Sequence, residues 1–365
     1  MTFAPDRCRA VVFAGDGTYE LREFDRPSPP PGGAVLQVEA VGLCASDVAQ
    51  LHGHQHVPGE VSPTVPGHEI VGRVHALDAG ADLGVAVGDR VGVDLVRRCG
   101  TCAVCRSGSP YCENLRVYGY SFGLDERSGL FGGYGEYMEI LPGTQLVALP
   151  DDVPAEELSL FEPLASCVHW SDRLGGLRGG ETVVIQGPGH MGLIFTALVR
   201  AAGAGTIVVT GTHADAFRLA AAREVGADET VDVEEEEDLV RRVRSITGGR
   251  MADVVVDLAD KAVETVRLAL DLAAMNGRVL LAGLKNMAPV ELPSDLIVLK
   301  GLTLTGGPGS TPESMRAAGA LLREKRLPTR ALRGEVLTLD EIDEAMALVA
   351  RAGDHDAVRV SLRHT

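Results

Sequence analysis

Thr182-Val-Val-Ile-Gln186 runs directly into Gly187-Pro188-Gly189-His190-Met191-Gly192, and the apolar stretch Leu193 to Ala202 follows at once. A β-branched run, a glycine-rich turn and an apolar helix in that order are the context that GxGxxG requires. Gly187 suits the tight turn, Gly189 lets backbone amides approach a pyrophosphate, and Gly192 lets the helix pack close to its strand. The phosphates would sit on the helix N-terminus. With 44 glycines in the chain, bare GxGxxG matches arise by chance, so the flanking pattern carries the weight. His190 and Met191 join the three glycines as cofactor-binding candidates.

Outward from this motif, strand and helix signals alternate. Thr206 to Thr210, Val254 to Leu258 and Arg278 to Ala282 read as strands; Met191 to Ala202, Asp215 to Val225 and Val263 to Ala274 read as helices. That alternation implies an α/β unit with a parallel sheet covered on both faces. Before about Leu158 the chain differs. It is rich in glycine and short β-branched runs, such as Ala34 to Val41, Ile70 to Val74 and Arg90 to Val93, which read as short strands with tight turns. Glu234 to Asp238 reads as a solvated helix start, and Pro312 to Arg323 as a helix.

The end of the second strand bears on cofactor choice. NAD-binding units usually carry an acidic residue there for the ribose 2′-hydroxyl. Here Gly211-Thr212-His213 leaves room for a 2′-phosphate, and Arg218 can pair with it. Asp215 could instead serve the hydroxyl. The reading favours NADP over NAD.

Two groups of residues have the chemistry of metal ligands. Cys99, Cys102, Cys105 and Cys112 place four thiols within fourteen residues. Two CxxC steps and a short return can wrap one tetrahedral zinc, closed and structural. The second group is dispersed: Cys44 and Asp47 around Ser46, then His68-Glu69, then Glu162. One thiolate, one imidazole and one or two carboxylates can hold zinc with a position left open. Cys44 and Glu69 already neutralise a divalent cation, so Glu162 acts through a water or exchanges on and off the metal. Asp47 suits orientation of His68 through its other ring nitrogen. Cys8 and Cys167 read as structural, with Cys167 a fallback ligand.

The 365 residues suffice for two domains with full cores. A composition of 45% hydrophobic and 23% charged residues is that of a globular protein. A net charge of −17 without a Lys/Arg run argues against nucleic acid or an anionic membrane as partner. No secretory signal or bilayer-length apolar stretch is evident, so a cytoplasmic protein with reduced thiols is expected.

Taken together, Cys44-Ala-Ser46-Asp47, Pro66-Gly67-His68-Glu69, Gly88-Asp89-Arg90-Val91, the Cys99 to Cys112 lobe, Glu162-Pro163 and Gly187 to Gly192 resemble the zinc-containing medium-chain dehydrogenases, in family order and over nearly the whole chain. The resemblance implies a GroES-like mainly-β catalytic domain (1–160 and 302–365, zinc lobe 97–114) and a Rossmann cofactor domain (161–301). It implies one catalytic and one structural zinc, a small-molecule alcohol or ketone substrate, and a homodimer or homotetramer. Glu162-Pro-Leu-Ala resembles the polyol branch, so a polyol, cyclitol or sugar alcohol, phosphorylated or not, is the expected substrate. A threonine-type amino alcohol is the alternative within the class. A non-catalytic dinucleotide- or zinc-binding protein is the alternative outside it, and the filled ligand set argues against that. A zinc-free quinone reductase of the superfamily would have neither the thiol lobe nor His68-Glu69.

Three departures from the family stand out. The return loop Arg106 to Tyr111 is one residue shorter than usual. The relay histidine often found after the catalytic cysteine is Ala49 here, with His52 nearby. Gly211 to His213 replaces the usual acidic selector. The expected chemistry has Ser46 take the substrate's hydroxyl proton and pass it on through the cofactor ribose to His52 or water. Leu51, His56, Tyr118, Trp170 and Gly306 to Ser310 are the guesses for the pocket wall.

Overall fold

The structure is a computed structural model that describes residues 6–55, 57–352 and 357–364; His56 lies outside the described residues. Two compact units share the chain. The first comprises Met1–Glu162, Thr311–Glu324 and Arg333–Thr365, and the second comprises Pro163–Ser310 and Lys325–Leu332.

The chain begins with a hairpin, β1 (Arg7–Phe13) and β2 (Tyr19–Asp25), then β3 (Ala34–Leu43) and helix α1 (Ala45–Leu51). Strands β4 (Glu69–Leu77) and β5 (Arg90–Val93) follow. The cysteine lobe is framed by β6 (Val96–Arg97), α2 (Ala103–Arg106) and β7 (Arg116–Val117). After it come β8 (Tyr137–Ile140), β9 (Leu146–Ala148) and two helices, α3 (Ala155–Leu158) and α4 (Phe161–Arg173). The second unit alternates β10 (Thr182–Gln186), α5 (His190–Ala201), β11 (Thr206–Gly211), α6 (Ala216–Glu224), β12 (Glu229–Asp232), α7 (Leu239–Ile246), β13 (Ala252–Asp257), α8 (Glu264–Leu272), β14 (Ala273–Leu281), α9 (Ser294–Lys300) and β15 (Thr303–Gly306). Helix α10 (Pro312–Arg323), β16 (Glu335–Leu337), α11 (Ile342–Val349) and β17 (Val360–Arg363) return to the first unit.

In the first unit β3 is the organising strand. Nearly every residue of it is buried, and it pairs with β4, β8 and β17 within a seven-stranded sheet. The apolar faces of these strands and of α11 enclose one core, from Phe13 and Leu36 through Tyr118 and Phe131 to Leu362. In the second unit all six strands run parallel in the order β12-β11-β10-β13-β14-β15. The centre of that sheet is buried on both faces, which is why β10 is buried at all five positions.

Two boundaries differ from the sequence reading. The cofactor unit was expected to end at 301, yet β15 pairs with β14 as the sixth strand, and Lys325–Leu332 also belongs to that unit. A β-branched run after a helix completes a parallel sheet regardless of composition, so the mixed signals of the tail concealed it. The acidic run Glu234 to Glu237 precedes α7 rather than forming it; Asp238 is the N-cap and accepts from the Arg241 amide at 2.9 Å.

Candidate active site and cofactor loop

The dispersed ligands of the sequence converge in the first unit. Cys44, His68 and Glu69 offer donor atoms that all lie within 4.8 Å of one another. Cys44 is the N-cap of α1, where the chain leaves β3. His68 and Glu69 come from the start of β4, and Glu69 faces Gly42 across the β3–β4 ladder.

Asp47 serves both of the first two residues. Its Oδ2 accepts the Cys44 amide at 2.8 Å and the Tyr134 hydroxyl at 2.9 Å. Its Oδ1 lies 3.3 Å from His68 Nδ1. With Nδ1 turned to Asp47 and Tyr120, Nε2 is the ring nitrogen left for a metal. Burial works against the charged form of His68, but Tyr120 and Asp47 outweigh it and raise the pKa well above the ordinary value. Burial also pushes the Tyr120 phenol upward, which keeps it protonated.

Glu69 is more committed than the sequence reading supposed. Its Oε2 is closed against Arg359 Nη2, and both side chains are buried. Arg359 also donates to the Ser159 hydroxyl at 2.9 Å and the Ser159 carbonyl at 2.8 Å. Glu162 is buried at the start of α4, outside the three-residue donor cluster. The soft–borderline–hard donor set of Cys44, His68 and a carboxylate fits zinc.

Ser46 Oγ lies 2.9 Å from Tyr120 Oη. His52 is elsewhere. It caps the opposite end of α1, exposed, and a Cβ on Gly17 would be 3.1 Å from its Nδ1. Six residues along a helix amount to more than one and a half turns, so Ser46 and His52 face different ways. The direct hydrogen-bond partner of Ser46 is Tyr120, so a hand-over to His52 or water would run through the cofactor ribose, as the sequence implied.

The four-cysteine lobe closes despite its shortened return loop. The sulfurs of Cys99, Cys102, Cys105 and Cys112 all lie within 4.8 Å of one another. Backbone amides point at them: Cys99 N to Cys112 Sγ at 3.3 Å, Cys102 N to Cys99 Sγ at 3.3 Å, and Cys105 N to Cys102 Sγ at 3.3 Å. Contacts from Thr101 and the Cys102 amide lower the Cys99 thiol to about 5. Burial, then the neighbouring Cys102, push Cys105 up to about 12. Four thiols so close cannot all ionise without a cation, and a divalent metal is the natural one. All seven cysteines are free of disulfides. Cys8 and Cys167 are buried, and Cys167 Sγ lies 3.8 Å from the Met191 carbonyl.

In the second unit the loop Gly187 to Gly192 has the shape the motif demands. Gly187 has φ +99, and a Cβ on Gly192 would overlap the Gly187 carbonyl. Gly189 is the N-cap of α5, without a side-chain cap and with open space where a Cβ would be. His190 and Met191 form the first turn of α5. Pyrophosphate fits such a cradle.

The surroundings of Gly211 are not those the sequence implied. Asp215 Oδ2 accepts from the Thr212 amide at 3.0 Å and its hydroxyl at 2.9 Å. His213 donates its amide to Glu234 at 2.7 Å, and its Nδ1 lies 3.2 Å from Asp232 and 3.8 Å from Glu235. Arg218 lies in the first turn of α6. Asp215, the carboxylate the sequence offered for the ribose hydroxyl, is joined by further acids. Parallel pairing sets Gly211 beside Asp232, and the residues after β12 supply the missing acids.

Of the pocket-wall guesses, Trp170 and the 306–310 segment do meet: Trp170 Nε1 donates to the Pro308 carbonyl at 2.9 Å. Leu51 and Tyr118 are core residues instead. Tyr118 Oη is 2.8 Å from Thr144 Oγ1 and accepts the Leu141 amide at 2.9 Å.

Known proteins share both units. The alcohol dehydrogenase GroES-like domain profile matches residues 30–151, and the zinc-binding dehydrogenase profile matches residues 191–324. A probable alcohol dehydrogenase of Mycobacterium tuberculosis is 35% identical over 364 residues, 96% of each chain. The chain belongs to the zinc-type alcohol dehydrogenases. A sorbitol dehydrogenase of Halalkalibacterium halodurans is 30% identical to this alcohol dehydrogenase, over 92% of this chain and 94% of its own. A zinc-binding dehydrogenase structure from Sinorhizobium meliloti, bound to NADP, superposes with a TM-score of 0.85 at 28% identity, covering 98% and 99% of the two chains. Among the described residues of this dehydrogenase, no helix is long and apolar enough to cross a membrane.

Proposed function

We propose that this alcohol dehydrogenase interconverts a secondary alcohol and its ketone within a polyol, cyclitol or sugar alcohol, phosphorylated or not, using a nicotinamide dinucleotide. The observation that carries the reading is the convergence of Cys44, His68 and Glu69 from separate segments onto one 4.8 Å cluster, beside a serine already hydrogen-bonded to it through Tyr120. The substrate class rests on the resemblance of Glu162-Pro-Leu-Ala to the polyol branch and on the sorbitol dehydrogenase relative.

Cys44, His68, Glu69 and Glu162 are the residues we assign to the catalytic zinc, with Glu69 also paired to Arg359. Arg359 cancels the charge of Glu69, so Cys44 and Glu162 together balance the cation. Bound zinc supplies Lewis acidity that makes a substrate hydroxyl more acidic. In ketone reduction Ser46 gives its hydroxyl hydrogen to the substrate oxygen and is reprotonated from water through the cofactor ribose; in alcohol oxidation the same transfers run in reverse. Asp47 holds the Cys44 backbone and the His68 ring in register. Cys99, Cys102, Cys105 and Cys112 hold a second, structural zinc. Gly187, Gly189, His190, Met191 and Gly192 hold the pyrophosphate at the start of α5.

For the dinucleotide itself, the carboxylates of Asp215, Asp232, Glu234 and Glu235 around Gly211, Thr212 and His213 favour NAD, against the NADP reading of the sequence. A 2′-phosphate would meet like charge there, with Arg218 its nearby cation. For assembly, β15 is an edge strand, and Leu284, Met287, Val298 and Leu299 of the same unit are exposed. That surface supports a homodimer or homotetramer.

The test is a substrate screen. Polyols, cyclitols and their phosphates, with threonine and simple alcohols as comparison, are assayed with both dinucleotides on protein of measured zinc content. Turnover confined to threonine or to primary alcohols overturns the polyol assignment. Absence of turnover with two zinc ions and bound dinucleotide favours a non-catalytic protein.

A further inference from the structure

Tyr120 is absent from the sequence reading and central to the geometry. It is 3% exposed, and its ring centroid is 5.2 Å from that of His68. Its hydroxyl lies 2.9 Å from Ser46 Oγ and 3.1 Å from His68 Nδ1, so it bridges the serine and the imidazole assigned to the metal. The backbone around it is fixed on both sides. Its amide donates to the Val117 carbonyl at 3.1 Å, its carbonyl accepts from Val61 at 2.9 Å, and the preceding Gly119 carbonyl accepts from buried Gln50 at 2.8 Å. A tyrosine held this firmly has little freedom to swing away from Ser46.

We propose that Tyr120 is a positioning residue for Ser46, fixing its hydroxyl as a donor toward the substrate oxygen. The proposal rests on the site reading given above. With His68 Nε2 left for the metal, the ring hydrogen sits on Nδ1. That hydrogen points to Asp47 Oδ1 or to Tyr120 Oη, and in the latter case occupies a lone pair of the phenol. A phenol has one hydrogen to give. A tyrosine phenol holds its hydrogen at neutral pH, and the other hydrogen-bond partner of Tyr120 Oη is Ser46 Oγ. Ser46 therefore accepts from Tyr120, and its own hydrogen is left for the substrate oxygen. The bond from Tyr120 orients Ser46 and does not carry a proton outward.

A double-mutant cycle separates this role from a structural one. The chain variants are Tyr120→Phe, Ser46→Ala, Ser46→Thr and the combinations, with zinc content and thermal midpoint measured on each. Tyr120→Phe is expected to lower kcat about tenfold, the loss of one bond worth about 1.4 kcal/mol, with KM and zinc content unchanged. The loss should vanish in the Ser46→Ala background and persist in Ser46→Thr, which keeps a hydroxyl. A binding readout runs beside the kinetics: the affinity of the NADH complex for isobutyramide, whose oxygen stands for that of a ketone, should fall in Tyr120→Phe and Ser46→Ala alike. Multiplying effects in the double variant overturn the proposal, since Tyr120 then acts independently of Ser46. Loss of zinc in Tyr120→Phe also overturns it, because the phenol then serves His68. Normal turnover in Tyr120→Phe beside an impaired Ser46→Ala sinks the proposal alone. Full turnover in Ser46→Ala removes the serine's assigned role, and the proposal with it.

Discussion

Glu69 and Arg359 form a closed ion pair in the first unit, each side chain 1% exposed, although 290 residues separate them in the chain. Gly42 lies beneath the pair, and a Cβ there would overlap both Arg359 Nη2 and Glu69 Oε2. The pair thus ties β4 to the segment leading into β17, across a strand whose glycine makes room for it.

Removing one partner leaves a buried charge without its counter-ion. Arg359→Met is expected to lower the unfolding free energy by about 3 kcal/mol, read by urea denaturation of the zinc-loaded protein. Gly42→Ala should act in the same direction by forcing the pair apart. Wild-type stability in both variants would show the pair to be incidental.

The two metal clusters should separate on mutation. Cys44→Ser is expected to abolish turnover and remove about one zinc per chain with little change in folding. Cys102→Ser should also remove about one zinc, but with a lowered thermal midpoint as the lobe opens. Elemental analysis and calorimetry on the same samples check both. Retained activity in Cys44→Ser would contradict its assignment to the catalytic metal.

Parallel fluorescence titrations with NADH and NADPH test the carboxylates around Gly211. The expected result is tighter NADH. Asp232→Asn combined with Glu234→Gln should improve NADPH affinity about tenfold, about 1.4 kcal/mol, and leave NADH nearly unchanged. Gly211→Asp is a poor probe, because a Cβ there would be 2.8 Å from Pro188 Cγ and 3.1 Å from Asp215 Cβ. Tighter NADPH in the unaltered protein would restore the original sequence reading.

Acid should loosen the C-terminal strand of the first unit. His364 Nε2 donates to the Gly133 carbonyl, 2.9 Å away, and burial lowers its pKa from 6.5 to about 4. The unfolded chain therefore binds a proton that the folded one refuses between those values. Stability is full above pH 6.5 and falls as pH drops towards 4, by about 3 kcal/mol. His364→Gln should flatten that part of the stability curve measured in urea. An unchanged slope would assign the acid sensitivity to other groups.

The sequence by itself determined the local chemistry. Gly187 to Gly192 between β10 and α5 and the CxxC steps of the lobe are short-range patterns whose spacing dictates their geometry, whereas Cys44 and His68-Glu69, far apart in the chain, were joined by their resemblance to the zinc-containing dehydrogenases. Only tertiary structure decided which distant groups meet them. Arg359 reaches Glu69 through antiparallel pairing of β17 with β3. Asp232 reaches Gly211 through parallel pairing of β12 with β11. Tyr120, two residues beyond the core residue Tyr118, reaches Ser46 because the chain turns at Gly119, with φ +81. Strand alternation would have put both tyrosines on one face; the left-handed turn between them sends one into the core and the other to the serine. Local patterns are set by neighbours along the chain, whereas charge balance and proton orientation are set by neighbours in space.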